Sequence, residues 1–265
     1  MPRNQWKPFQ SITVQWISLL LVCLVALPVA NASEPKATDI VVRAKSKDAK
    51  FIGSSMGGAM VRIRDAESGE ILAEGLTEGS TGNTDLIMQQ PHRRHQSIAE
   101  GAAAFRTSLM LSEPVFVTVE VLAPYIKKQA RVAAQTQVWL VPGKHLDGEG
   151  LVVEIPGLVV DVLSPQTHRY TQMADAPFPI RANVVMMCGC PISEGGLWDG
   201  SQMEVAALVK KDGRDFATIP LALEDVNTFG GELQPDGPGL YQLLVYAYDP
   251  RTGNTGVDQV SFIVR

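Results

Sequence analysis

The chain has 265 residues, 45% of them hydrophobic and 19% charged, with a formal charge of −5 at neutral pH. That length can bury a sizeable core in one or two domains. The weakly acidic balance argues against nucleic acid or an anionic membrane surface as a partner, and three cysteines are too few for a scaffold built on disulfides.

Residues 1–32 read as a secretion signal, removed from a mature chain that starts at Ser33. Arg3 and Lys7 are its only charges, Ile17 to Ala30 is an apolar run too short for a comfortable membrane span, and Ala30-Asn31-Ala32 fits a signal-peptidase site. Cys23 sits inside the run after Leu21-Val22. A lipidated cysteine should follow a small residue and end the apolar segment, so lipidation is not expected. The mature chain would carry 21 basic and 28 acidic residues, a formal charge of −7, and two cysteines, which fits one disulfide in an exported protein. The expected location is periplasmic or extracellular, with no membrane span in the mature chain.

Short strand-like runs with turn signals follow, with almost no helical periodicity. Asp39 to Ala44 is one such run. Met60-Val61-Arg62-Ile63-Arg64 alternates, Asp65 to Gly69 is a turn, and Glu70 to Glu74 returns as a partner strand. Leu109 to Leu111, Val115 to Leu122, Ala130 to Ala134, Gln137 to Val141 and Leu151 to Ile155 supply further strands. The pattern predicts an all-β chain of two antiparallel β-sandwich domains in tandem, over 33–156 and 157–265.

Gly53-Ser54-Ser55-Met56-Gly57 matches the G-x-S-x-G pattern of serine hydrolases. That motif works on a sharp turn from strand to helix, and a strand follows here, so a glycine-rich connection is the better reading. The hairpin from Gly58 to Glu70, with Leu76-Thr77-Glu78-Gly79 after it, resembles the carboxypeptidase-regulatory-like, or transthyretin-like, sandwich. The resemblance implies binding or structural support rather than catalysis. A long polar insertion near 79–103 departs from that family's pattern. It holds His92 and His95, which would share a face on a helical turn, and is expected to be a solvated loop. His145 and His168 stand alone in expected loops.

Pro156-Gly157 marks the domain boundary, and Leu158 to Leu163 is the expected first strand of the second domain. Strands are expected at 179–188 and 203–210, with Lys211 to Arg214 as a hairpin signal, then at Phe216 to Leu223, Gly239 to Tyr248 and Val257 to Val264. Both faces of Gly239 to Tyr248 are rather apolar, which predicts a central strand covered on both sides. Pro238-Gly239-Leu240-Tyr241, Val245-Tyr246-Ala247-Tyr248-Asp249 and Gly253-Asn254-Thr255-Gly256, with a final strand ending at Val264, resemble the closing hairpin of bacterial immunoglobulin-like domains. The resemblance places Tyr241 where a tyrosine corner is expected. Asp249 and Asn254 flank a turn with enough oxygens for Ca²⁺, though a turn bonding its own backbone is the simpler reading.

The greatest chemical density lies at Val184-Val185-Met186-Met187-Cys188-Gly189-Cys190-Pro191. Alternation puts Met186 and Cys188 on the apolar face of a strand that Pro191 ends. Three readings stand. One is a Cys188–Cys190 disulfide: two extended residues span roughly 6.6 Å, so Gly189 must supply a bend. Another is a soft-metal site, with two thiolates and the thioethers of Met186, Met187 or Met203 suited to Cu(I). The third is a pair of buried thiols. An antiparallel return would bring Trp198 over the pair as the roof of a pocket.

No catalytic set emerges. The expected function is a non-enzymatic binding or structural role in the cell envelope through contacts with an envelope or secreted protein, with no cofactor. The alternative is a periplasmic copper-binding or copper-delivery protein. A thiol–disulfide oxidoreductase fits less well, since its C-x-x-C spacing is missing.

Overall fold

The computed structural model describes residues 34–265; the expected signal segment, with its Ala30-Asn31-Ala32 site and Cys23, lies outside the described residues. The first seven strands are β1 (Lys36–Ser46), β2 (Met60–Asp65), β3 (Ile71–Leu76), β4 (Phe105–Leu111), β5 (Val115–Ala123), β6 (Val132–Leu140) and β7 (Leu146–Ile155). They form two sheets, β4-β1-β7 and β3-β2-β5-β6. On β5, Val117, Val119 and Val121 are buried, while Phe116, Thr118, Glu120 and Leu122 lie on the other face, partly exposed. This period of two is what a sheet with one wet face requires.

The β2–β3 hairpin lies where the sequence predicts it. The Asp65 carboxylate accepts the N–H groups of Glu67 (2.9 Å) and Ser68 (2.7 Å), and Gly69 takes a positive φ of 75° to close the turn. After the hairpin, the buried Thr77 hydroxyl donates to Ile52 O and accepts from Ala59 N–H.

The remaining strands are β8 (Leu158–Ser164), β9 (Tyr170–Thr171), β10 (Phe178–Met186), β11 (Glu204–Lys211), β12 (Arg214–Pro220), β13 (Ala222–Asp225), β14 (Thr228–Leu233), β15 (Gly239–Asp249) and β16 (Asn254–Val264). They pair as β13-β14-β10-β8 and β12-β11-β15-β16-β9. A sheet of A-B-E-D order against one carrying C′-C-F-G is the immunoglobulin-like arrangement. The Tyr241 hydroxyl lies 2.9 Å from Gly237 O, four residues upstream, and 3.1 Å from the Asp236 carboxylate, which is the geometry of a tyrosine corner.

The chain is therefore an all-β sandwich protein, with a departure from pure antiparallel pairing. β7 runs parallel to β1, and β9 parallel to β16. In the first half the first and last strands lie side by side and run the same way; in the second, the short β9, which follows β8, joins the last strand at the sheet's edge. The strand β15 is central, as expected, but it is covered on one face only. Tyr241, Leu243, Val245 and Ala247 are fully buried, whereas Leu240 and Tyr248 are exposed. Aliphatic and aromatic residues on the outer face are shielded in part by cross-strand neighbours such as Leu208 opposite Leu244.

The 79–103 insertion carries a core of its own. Phe51, Ile87, Ala99 and Ala102 form a buried cluster beside a short π-helical turn, Asp85–Gln89. Its inner end is tied down by Arg43 of β1, which is 4% exposed. Arg43 donates to the carbonyls of Ala102, Ala103, Gly148 and Glu149, so a buried guanidinium is satisfied by backbone instead of a carboxylate. Burial lowers its affinity for a proton, with Arg106 adding to the effect. The outer part, His92 to His95, is exposed as the sequence suggests.

The strands β7 and β8 end and begin on either side of Pro156-Gly157. The main apolar cluster runs through both halves without a break. Asn254, fully buried, joins them: its Oδ1 accepts Gly157 N–H at 2.8 Å and its Nδ2 donates to Lys47 O at 3.1 Å. Asp249 accepts from Arg251 N–H and the Thr252 hydroxyl. The turn's side-chain oxygens thus bond the chain itself.

Candidate functional site

The strand β10 ends at Met186, two residues before the expected end, because the backbone turns at once. Gly189 N–H donates to Met186 O at 2.7 Å, Met186 N–H donates to Cys190 O at 3.2 Å, and Gly189 takes a φ of 75°. That left-handed residue supplies the required bend. It brings the Cys188 and Cys190 Cα atoms to 5.4 Å and their sulfurs into disulfide-like contact. Both cysteines are buried, at 1% and 4% exposure.

The chain beyond Pro191 is held by Asn227, itself at φ 63°. Ile192 N–H donates to the Asn227 side-chain oxygen (2.7 Å), while Asn227 N–H returns to Ile192 O (2.8 Å). The glycine-rich loop that follows closes on Asp199. Its carboxylate accepts from the Ser201 hydroxyl (2.8 Å), Ser201 N–H (3.0 Å) and Gly195 N–H (3.0 Å), and these bonds hold it below the usual carboxylate range.

This loop delivers Trp198, nearly buried, whose indole N–H donates to Asp48 O of the first sandwich at 2.8 Å. The result is a cleft of about 400 Å³. Cys188, Gly189, Cys190, Pro191, Leu197 and Trp198 line one side, and Lys50, Ser55, Thr81, Thr84 and Gln89 of the first sandwich line the other. The Lys50 ammonium donates to the Thr84 hydroxyl at 2.9 Å.

The structure thus brings Cys188, Cys190 and Trp198 together. Met186, Met187 and Met203 are not among the residues lining the cleft. Met186 is fully buried in the core, and Met203 packs half-buried against it. Met187 is directed to the junction of the two halves, where a β-carbon on Gly157 would come within 2.7 Å of its Cε. The thioether at the turn belongs instead to Met56, whose Sδ would lie 2.7 Å from a β-carbon placed on Gly189. The sequence carried a signal for this residue, since Met56 stands inside the G-x-S-x-G stretch, but nothing in the pattern ties that stretch to a turn more than 130 residues on. In that stretch Ser54 Oγ accepts Gly79 N–H at 3.1 Å, and Ser54–Met56 is one 3-10 turn leading to β2.

Among the described residues, no three or more His, Cys, Asp or Glu side chains gather as metal ligands. His92 touches Ile87 O, and His145 pairs with Asp39.

A second surface stands apart from the cleft. On the outer face of β5 and β6, Phe116 and Trp139 are direct cross-strand partners with ring centroids 4.9 Å apart, and Trp139 is 59% exposed. The same face carries a groove of about 290 Å³ lined by Met60, Arg62, Glu120, Leu122, Ala133 and Gln135, among others. Arg62 and Arg64 on it are neutralised by Glu74 and Glu120.

No protein-family model matches the chain, and no curated protein matches it. Two solved structures align with it at low similarity. The fibronectin(III)-like modules of Clostridium thermocellum CbhA align at 12% identity and a TM-score of 0.28, covering 86% of this chain and 94% of theirs. Dimeric latent PorU from Porphyromonas gingivalis aligns at 10% identity and a TM-score of 0.29 over 87% of this chain, which spans about a quarter (24%) of PorU. The likeness identifies no specific protein. Among the described residues, no helix is long and apolar enough to cross a membrane.

Proposed function

We propose that this is an exported, non-enzymatic protein of the cell envelope, in which two sandwich domains, 33–156 and 157–265, hold a docking face for another protein. The observation that carries the reading is the Phe116–Trp139 pair on the outer face of the first sandwich. Aromatic residues exposed on a rigid sheet give large contact area at low entropic cost, and they dominate protein interfaces. Its charges are paired in ions of opposite sign, which suits another protein surface better than nucleic acid or anionic lipid. The signal-like residues 1–32 support export to the periplasm or beyond. The β2–β3 hairpin and the Thr77 loop support the transthyretin-like reading of the first domain, which implies binding or support.

The test is photo-crosslinking in living cells, with the photoreactive residue at Gln137 beside Trp139. A discrete adduct with an envelope or secreted protein is expected there, lost with Trp139→Ser and missing from the same probe at Thr218 on β12. A probe at Gln137 that captures nothing, or captures equally from Thr218, removes the reading.

A further inference from the structure

We propose that the free edge of β6 is a dimer interface, at which the β6 strands of two copies of this chain pair antiparallel about a twofold axis at Thr136. The proposal rests on the docking face of the first sandwich and names its occupant as a second copy.

Three observations carry it. First, β6 is an unguarded edge. It runs nine residues, Val132–Leu140, with no charged residue, proline or glycine, and it pairs with β5 throughout without a shift in register. It is the last strand of its sheet, with no strand on its other side. Every other outer strand among the described residues carries charge, such as Glu74 on β3, Arg106 on β4 or Asp161 on β8, or is as short as the two-residue β9. Proteins blunt their edges in these ways because the unpaired N–H and C=O groups accept a further strand.

Second, the edge is complementary to itself. Antiparallel pairing about Thr136 sets Gln135 against Gln137 of the second copy, Ala134 against Val138, Ala133 against Trp139 and Val132 against Leu140. All nine residues are used, and apolar residues meet apolar ones. Val132, Ala134, Thr136 and Val138, half-buried on the inner face, stay inward in both copies. A slip of one residue would set this row against the exposed row of Ala133, Gln135, Gln137 and Trp139, so the burial pattern itself fixes the register.

Third, the outer face holds a knob and a hole at opposite ends of the strand. Trp139 is 59% exposed. The groove of about 290 Å³ is lined by Ala133, by Gln135 and by Leu122, the partner of Ala133 on β5. The twofold sets the indole of each copy against Ala133 of the other, and directly opposed side chains start only about 5 Å apart. Each indole therefore meets the other copy's groove where the facing residue is small. Such a reciprocal contact is what a twofold dimer requires.

The experiment is analytical ultracentrifugation of the exported protein over a range of concentrations. The natural protein is expected at twice the mass of one chain. Gln135→Lys with Gln137→Lys sets like charges opposite one another twice in each dimer, and should raise the dissociation constant about tenfold or more. Gln135→Lys with Gln137→Glu changes the same two positions but sets opposite charges together, so the dimer should persist. Trp139→Ser should weaken the dimer, and Thr218→Lys on β12 should not. All four positions are exposed, so the fold itself is not at stake. Hydrogen exchange should show the outward amides of β6 protected in the natural protein and open in the doubly lysine-substituted one. A monomer at every concentration, or a dimer that tolerates both charge variants equally, would overturn the proposal. A monomer whose Gln137 probe captures a different protein overturns it as well and leaves the docking face standing, whereas a Gln137 probe that captures nothing removes both.

Discussion

The two sandwiches share a layer architecture but close their cores with opposite chemistry. The second is closed by aromatic packing. Tyr241 stacks on Phe262 at 5.6 Å and meets Phe216 edge-on at 5.7 Å, with one hydroxyl bonded at the corner. The first is closed by a polar device. Arg43 spends its donors on carbonyls from two segments, the end of the insertion and the bend before β7's last residues. Aromatic packing is forgiving, because losing one polar atom leaves the area buried. A buried guanidinium is not, because its removal strands several carbonyls at once. The comparison teaches that an insertion with only a small apolar cluster of its own can be tied to the sheet by one buried cation.

The largest effect is therefore expected at Arg43. Arg43→Leu should destabilise the protein by about 3 kcal/mol, as buried carbonyls lose their donors, and should open the insertion to trypsin at Arg93 and Arg94. Urea unfolding and limited proteolysis check both, and a loss no larger than that of a surface substitution would erase the contrast. Next comes the junction. Gly157 has a φ of 120°, and a β-carbon there would meet Met187 Cε at 2.7 Å and Thr255 O at 3.1 Å. Gly157→Ala should cost about 2 kcal/mol through backbone strain and crowding. Thermal unfolding would show whether the loss falls on one transition, as a shared core requires, or on separate transitions for each half.

A smaller loss is expected at the aromatic corner. Tyr241→Phe keeps the ring and removes one hydroxyl, so about 1 kcal/mol should be lost in urea unfolding. A loss as large as that of Arg43→Leu would mean the second half also depends on polar closure.

The smallest effect involves Asp48, at the turn that receives the Trp198 indole. Desolvation and the nearby Asp249 charge hold its carboxyl above the ordinary range, against the pull of Arg251 and Lys45. A group that binds its proton more tightly when folded favours the fold at low pH, and that contribution is lost as pH rises through the raised value. Asp48→Asn should therefore be slightly more stable than the natural protein near neutral pH and lose that advantage in acid. Asparagine tolerates the positive φ of 55° found there. Unfolding midpoints across the acid range test it, and an advantage that grows in acid would reverse the assignment.

Much of the fold was legible because strands print their period on the chain. The alternation in Val115 to Leu122 and in Ile180 to Val184 marked core faces that are buried in the structure. The turn at Asp65 to Gly69 and the corner at Tyr241 were legible from local chemistry. At Val185 and Met187 the alternation stops being informative, because both are buried along with Val184, Met186 and Cys188. The insertion read as a loop because its apolar residues are few and scattered. They gain a core only by meeting Phe51 and Arg43, which lie on other segments. Within the site, the cysteine pair and Trp198 were legible as a local cluster, and Met56 was not.

The sequence alone determined the all-β class, the positions of the turns and the chemical character of the Cys188–Cys190 stretch, since each depends on residues close together along the chain. Only the tertiary structure decided which thioether meets that stretch, what lines the cleft, and that Arg43 is buried. Those depend on segments from 59 to more than a hundred residues apart, and local pattern holds no record of which distant side chain fills a given gap.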